Sequence, residues 1–230
     1  MAVAVIADAH LGGPGGAAGP LVEQLDSLAV PRCERLLLLG DLFHVWVALP
    51  SFETSEVRQV AEALDRVRAK GIHVDYVEGN RDFFVVGSRY ESHFDFVGNE
   101  VAFKTGDKRF LAVHGDGLDN LDYQYRFWRF LSKNRMSRLA ARALPAVLAR
   151  WFVYGTESRL ARTNFKHKTE IPEQAITTYG DRRLAEGHEV LLLGHFHEPQ
   201  RWTREAGEVW LLDAWFRTRE IEWLGERREV

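Results

Sequence analysis

The sequence predicts an α/β protein that carries a basic helical insertion late in the chain, and three observations lead there. Five short runs, Ala2 to Ala7, Arg35 to Leu39, His73 to Val77, Phe110 to Val113 and Glu189 to Leu193, are β-branched or Leu-rich and end close to a Gly or Asp. They read as strands covered on both faces. A polar motif follows each run: Asp8-Ala9-His10, Gly40-Asp41, Gly79-Asn80-Arg81-Asp82, His114-Gly115-Asp116 and Gly194-His195-Phe196-His197. The first four motifs begin 32, 39 and 35 residues apart, the length of a strand–helix unit. Residues 117–170 differ in character, with 11 Lys/Arg against 4 acids and with Trp128, Leu131, Leu139, Leu144, Leu148, Trp151 and Phe152 at broadly helical spacing. That stretch is expected to form two or three basic amphipathic helices, a lid inserted into a core made of 1–116 and 171–230.

After the first strand, Gly12 to Gly19 forms a Gly-rich loop too irregular for a phosphate-binding fingerprint, and Leu21 to Leu28 is a short helix behind Pro20. Between the second and third strands, Val57, Val60, Ala61, Leu64 and Val67 recur every three or four residues, which predicts an amphipathic helix over Thr54 to Lys70. Thr54 or Ser55 can cap it and Gly71 ends it. Near the C-terminus, Glu208 to Leu212 and Glu220 to Leu224 are expected as strands closing a second sheet, separated by Asp213 to Arg219.

At 230 residues, 46% of them hydrophobic, the chain suffices for one domain with a large core. The net charge of −3 demands neither nucleic acid nor a membrane as partner, although the insertion alone is +7. Cys33 is the single cysteine, so no intramolecular disulfide forms and a reducing compartment fits. The N-terminal stretch lacks a basic region ahead of its apolar run, and no run reaches the roughly 18 apolar residues of a spanning helix. The expected location is cytoplasmic.

Each motif alone says little, since an Asp-x-His triplet occurs by chance in many chains. Together they place Asp8, Asp41 and Asn80 oxygens and His10, His114, His195 and His197 nitrogens at strand ends, where side chains reach past a sheet edge into one crevice. These are too many ligands for one ion and suit two divalent cations that share a carboxylate. The mixture of hard oxygens and imidazoles fits Mn²⁺, Fe or Zn²⁺ better than Ca²⁺ or Mg²⁺ alone.

In the order of these motifs the chain resembles the calcineurin-like metallophosphoesterases, which implies a two-sheet α/β/β/α sandwich. The resemblance implies that Asp8, His10 and His197 hold one ion, that Asn80, His114 and His195 hold the other, and that Asp41 bridges them. It also implies Mn²⁺ as the metal. The general family pattern has His after Asn in the third motif, whereas this chain has Arg81. Arginine keeps its proton near pH 7, so Arg81 is expected to stabilise transition-state charge, with Asp82 orienting it.

The Gly79-Asn80-Arg81-Asp82-Phe83 run resembles a narrower group, the bacterial UDP-2,3-diacylglucosamine hydrolases of lipid A synthesis. Gly40-Asp41-Leu42-Phe43 followed by Val45-Trp46, and His114-Gly115-Asp116 followed by Leu118, Asp122, Tyr125 and Arg129, add to it. Departures are Val47 to Pro50, where that group has an acidic pair, and Ser158 to Lys168, only loosely like its lid segment. This likeness implies cleavage of the pyrophosphate of UDP-2,3-diacylglucosamine to UMP and 2,3-diacylglucosamine 1-phosphate (lipid X). Substrate contacts are then expected at Asn80, Arg81, Asp122, Tyr125, Arg129, Ser158, Asn164, Lys168 and His195. The protein would sit peripherally on the inner face of the cytoplasmic membrane. Two other enzyme readings compete: a phosphodiesterase or nucleotide pyrophosphatase on another small substrate, and a nuclease stacking bases on Tyr123, Tyr125, Trp128 and Phe165. Those aromatics fall among Leu and Ala at helical spacing, so no nucleic-acid partner is expected. A catalytically silent scaffold is disfavoured because no ligand position is substituted.

Overall fold

In the computed structural model, which describes residues 2–13, 16–118, 137, 139 and 171–225, the apolar runs pair into two five-stranded sheets. In chain order the strands are β1 (Val3–Ile6), β2 (Arg35–Leu39), β3 (Trp46–Val47), β4 (His73–Val77), β5 (Asp82–Phe83) and β6 (Phe96–Gly98). They continue with β7 (Glu100–Thr105), β8 (Lys108–Val113), β9 (Val190–Leu193), β10 (Gln200–Arg204), β11 (Gly207–Leu211) and β12 (Glu222–Leu224). The helices are α1 (Ala18–Ser27), α2 (Ser55–Ala69), α3 (Glu173–Ala185) and the single turn α4 (Trp215–Thr218).

One sheet has the order β12-β1-β2-β4-β6 and the other β10-β11-β9-β8-β7, while β3 and β5 form a short parallel pair. Strand alternation explains why the central runs are apolar throughout. Along β1, Val3 and Val5 face a core shared with Val101, Phe103, Phe110, Val190 and Leu192 of the second sheet. Ala4 and Ile6 face the opposite way, into a core with Leu21 and Leu25 of α1 and Val57, Val60 and Leu64 of α2. On the far side of the second sheet, Leu111, Leu191, Leu193 and Val209 pack against Ile176 and Leu184 of α3. Three cores therefore separate four layers, the α/β/β/α sandwich.

Helix α2 follows its pattern closely. The Thr54 side chain accepts from the Val57 N–H at 3.3 Å, a cap worth about 1 kcal/mol. Val57, Val60, Leu64 and Val67 are buried, each contributing roughly 1.5–3 kcal/mol. Ala63 lies on the buried face, whereas Ala61, expected there, is only half-buried.

The structure corrects several expectations. The C-terminal strand expected in the second sheet pairs instead with β1, antiparallel with Val3 opposite Leu224, and so edges the first sheet. Only Gly207–Leu211 joins the second sheet, parallel to β9. Helix α3, the strands β6, β7 and β10 and the turn α4 were not anticipated, and α1 begins at Ala18, before Pro20, rather than at Leu21. Among the described residues, no helix is long and apolar enough to cross a membrane. Most of the expected lid, 119–136, 138 and 140–170, and with it the expected domain division, lies outside the described residues.

Candidate metal centre

The parallel strands β1, β2 and β4 of one sheet and β8 and β9 of the other each hand over to a motif at their C-terminal ends. Asp8 and His10 follow β1, Asp41 follows β2, Asn80 and Arg81 follow β4, His114 follows β8, and His195 and His197 follow β9. The two sheets thus deliver side chains from opposite sides of one cleft. His10 Nε2 lies 3.2 Å from His197 Nε2, which lies 3.2 Å from Asp8 Oδ1. His114 Nε2 lies 3.2 Å from Asn80 Oδ1 and 3.7 Å from Asp41 Oδ1. The His195 N–H donates to Asp8 Oδ2 at 2.8 Å, and its ring packs edge-on against His114 with centroids 5.3 Å apart. All seven expected ligands are therefore brought together. Donor atoms of Asp8, His10 and His197 lie within 4.8 Å of one another, as do those of Asp8, Asp41 and His114. Asp8 belongs to both sets, although Asp41 was expected to be the link.

The backbone is bent to achieve this. Asp8, His10, Asp41, His195 and His197 all have φ between 45° and 66°, and the remaining non-glycine cases among the described residues are Phe84 and Arg219. Left-handed backbone costs non-glycine residues on the order of 1–3 kcal/mol each and persists where its surroundings enforce it. Backbone hydrogen bonds do so here: His10 N–H donates to Asp41 O at 3.0 Å and Gly194 N–H to His114 O at 3.0 Å.

The glycines of the motifs have a steric purpose. A Cβ on Gly40 would run into the His114 ring, one on Gly79 into the Asp41 carboxylate, and one on Gly194 would lie 2.7 Å from Asp8 Oδ2. In each case the obstructed group is an expected ligand from a different motif. The spacing Gly-Asp, Gly-Asn, Gly-His therefore records how closely neighbouring ligands pass.

Lone pairs crowd in this cleft. The Leu39 carbonyl can only accept, so His114 Nδ1, 2.9 Å away, carries the ring proton. His114 Nε2 then presents a lone pair to the Asn80 and Asp41 oxygens. A single proton likewise cannot satisfy His10 Nε2, His197 Nε2 and Asp8 Oδ1 together. Converging lone pairs of two buried carboxylates, a carboxamide and four imidazoles fit divalent cations, with the Leu39 carbonyl as the outer contact that orients a ligand imidazole. Burial pushes the Asp8 carboxyl up, but His114, His197 and His10 outweigh it and hold it well below the usual carboxylate range. Burial pushes His10 down to about 3, against the pull of Asp8 and with the help of Arg81. Both groups thus sit in the protonation state that metal ligation requires at neutral pH.

Asp82, expected to orient Arg81, has a second structural task. Its buried Oδ2 accepts from the N–H of Gly79 at 2.6 Å and of Asp41 at 3.0 Å, so it ties two ligand loops together. The buried Tyr76 hydroxyl faces it, with burial and the Asp82 charge pushing that hydroxyl well up. Arg81 itself is held by its neighbours: its N–H donates to Asp41 Oδ1 at 2.8 Å, its Nε lies 3.6 Å from Asp41 Oδ2, and its Nη1 donates to the His44 carbonyl at 2.9 Å. Sequence reasoning missed His44, whose only signal is an imidazole three residues past Asp41. It also missed Phe216 of α4, whose ring packs edge-on against His10 and His197 at 5.3 and 5.2 Å. The expected substrate contacts Asp122, Tyr125, Arg129, Ser158, Asn164 and Lys168 lie outside the described residues.

Gly79→Ala tests whether close passage of the ligands matters. It is expected to weaken divalent-ion affinity by about 10–100-fold with the fold intact by circular dichroism. Gly19→Ala, which meets nothing within 4 Å, is the control. Unchanged affinity in Gly79→Ala would remove the steric account of the motif.

No family model matches the chain. Curated relatives that carry the name UDP-2,3-diacylglucosamine hydrolase do, among them the following three. The one from Chromobacterium violaceum is 28% identical, over 94% of this chain and 91% of its own length. That from Ectopseudomonas mendocina is 30% identical, over 73% of this chain and 69% of its own. The Shigella dysenteriae relative is 30% identical, over 73% and 70%. With likeness extending through most of both chains, and with ligand-type side chains from five separate motifs meeting in one cleft, the chain belongs to the UDP-2,3-diacylglucosamine hydrolase family.

Proposed function

We propose that this chain is a metal-dependent hydrolase that cleaves the pyrophosphate of UDP-2,3-diacylglucosamine, releasing UMP and 2,3-diacylglucosamine 1-phosphate. The convergence of Asp8, His10, Asp41, Asn80, His114, His195 and His197 beside Arg81 is the observation that carries this reading. Family membership supports the substrate. Asp8, His10 and His197 would hold one ion, Asn80, His114 and His195 the other, and Asp41 would serve both, with manganese as the metal. Bound there, two cations supply Lewis-acid charge to the phosphoryl oxygens and lower the pKa of a water.

The remaining work falls to the chain. Arg81 stays protonated at any working pH, so it donates no proton and instead meets charge that grows on the phosphoryl oxygens. Asp82 holds the Gly79 and Asp41 loops at a fixed separation, which keeps Arg81 in register with the ligands. Asn80 and His195 touch the substrate as well as the metal. Asp122, Tyr125, Arg129, Ser158, Asn164 and Lys168 of the basic segment supply the remaining substrate contacts. That segment has cations for phosphates and apolar side chains for acyl chains, and brings the protein peripherally to an anionic membrane face.

Arg81→Ala is expected to lower kcat by about 10²–10³ with metal content unchanged. A raised KM at constant kcat would show that Arg81 contributes ground-state binding alone.

The acyl chains should matter to the rate, because remote binding energy can be used to position the reacting phosphorus. UDP-sugars without acyl chains should lose several orders of magnitude in kcat/KM, since each buried methylene is worth about 0.8 kcal/mol. Hydrolysis in ¹⁸O water should place the label in UMP. Equal rates with and without acyl chains, or label in the sugar phosphate, would instead indicate a phosphodiesterase or nucleotide pyrophosphatase with a different substrate.

A further inference from the structure

We propose that His44 is a positioning residue for Arg81, fixing the plane in which its guanidinium meets the substrate; this rests on the role given to Arg81 above. His44 lies half-buried in the loop after β2. Its carbonyl accepts from Arg81 Nη1 at 2.9 Å, and its ring Nδ1 faces the same nitrogen at 3.4 Å. The imidazole is itself confined. A Cβ on Gly13 would lie 2.9 Å from its Cγ and Nδ1, and the His10 ring stands edge-on to it with centroids 6.2 Å apart. The loop backbone is pinned on both sides of the contact. His44 N–H donates to Leu11 O at 2.8 Å, and Trp46 N–H donates to Arg81 O at 2.9 Å.

Three contacts hold the guanidinium: Nη1 against the His44 carbonyl and ring Nδ1, and Nε 3.6 Å from Asp41 Oδ2. A long flexible side chain ordered before the substrate arrives has less rotamer freedom to lose when it binds. His44 would therefore act on turnover through Arg81, without touching the reacting atoms.

A double-mutant cycle on the manganese-loaded full chain tests this, using UDP-2,3-diacylglucosamine and the small diester bis-p-nitrophenyl phosphate as substrates. His44→Ala, which removes the ring contact and keeps the carbonyl one, should lower kcat about tenfold at unchanged metal content and change kcat no further when added to Arg81→Ala. His44→Asn, whose carboxamide oxygen can stand near the Nδ1 position, should recover most of that loss. Equal losses in the wild-type and Arg81→Ala backgrounds, an unchanged kcat in His44→Ala, or a loss that tracks departing metal would each overturn the proposal. A wild-type chain that cleaves only the diester would overturn the substrate reading, and the cycle on the diester would still decide the coupling. If neither is cleaved, UMP binding by calorimetry gives the same cycle without turnover.

Discussion

The repulsion among lone pairs in the cleft is the constraint around which the rest of the structure is arranged. Two buried carboxylates, a carboxamide oxygen and imidazole nitrogens approach to between 3.2 and 3.8 Å with too few protons to separate them. Such an arrangement is costly for the protein alone and becomes favourable around cations. The left-handed backbone at five of the expected ligand positions adds a further cost, which the surrounding hydrogen bonds and packed strands must hold in place.

The layered fold supplies that support. Each ligand loop leaves a strand that is buried on both faces, so the loop ends cannot drift without opening a core. Asp82 ties the loops after β2 and β4, and the Asp8 carboxylate accepts from the loop after β9. The turn α4 closes the remaining side: Trp215 N–H donates to Ala7 O at 2.8 Å, and Arg217 Nη1 to His197 O at 2.6 Å. The expected ligands thus stand on rigid elements from both sheets, with the Arg81 guanidinium beside them.

Much of this was legible in the sequence because the informative residues are local. A strand covered on both faces must be apolar at every position, which made β1, β2, β8 and β9 readable, and a ligand motif must stand at its end. What could not be read depends on partners far along the chain. Glu222–Leu224 reads as a strand, but nothing local says that it pairs with β1 rather than with the second sheet. Helix α3 was obscured by Gly180, which resembles a breaker yet is required because Val209 packs where its Cβ would be. His44 and Phe216 gain meaning only from the rings and guanidinium they meet. Nor does anything local say that the Asp82 carboxylate also reaches the N–H groups of Gly79 and Asp41.

Metal content tests most directly whether the cleft holds a pair of ions joined by one carboxylate. The wild-type chain, loaded with manganese and freed of excess, should retain about two ions per chain, and Asp41→Ala should fall below one because both sites lose a ligand. Asp8→Ala, which removes the carboxylate shared by the two donor sets, should leave the Asn80–His114–His195 ion in place. Two tightly held ions in Asp41→Ala, or loss of both in Asp8→Ala alone, would contradict the account and move the bridge to Asp8.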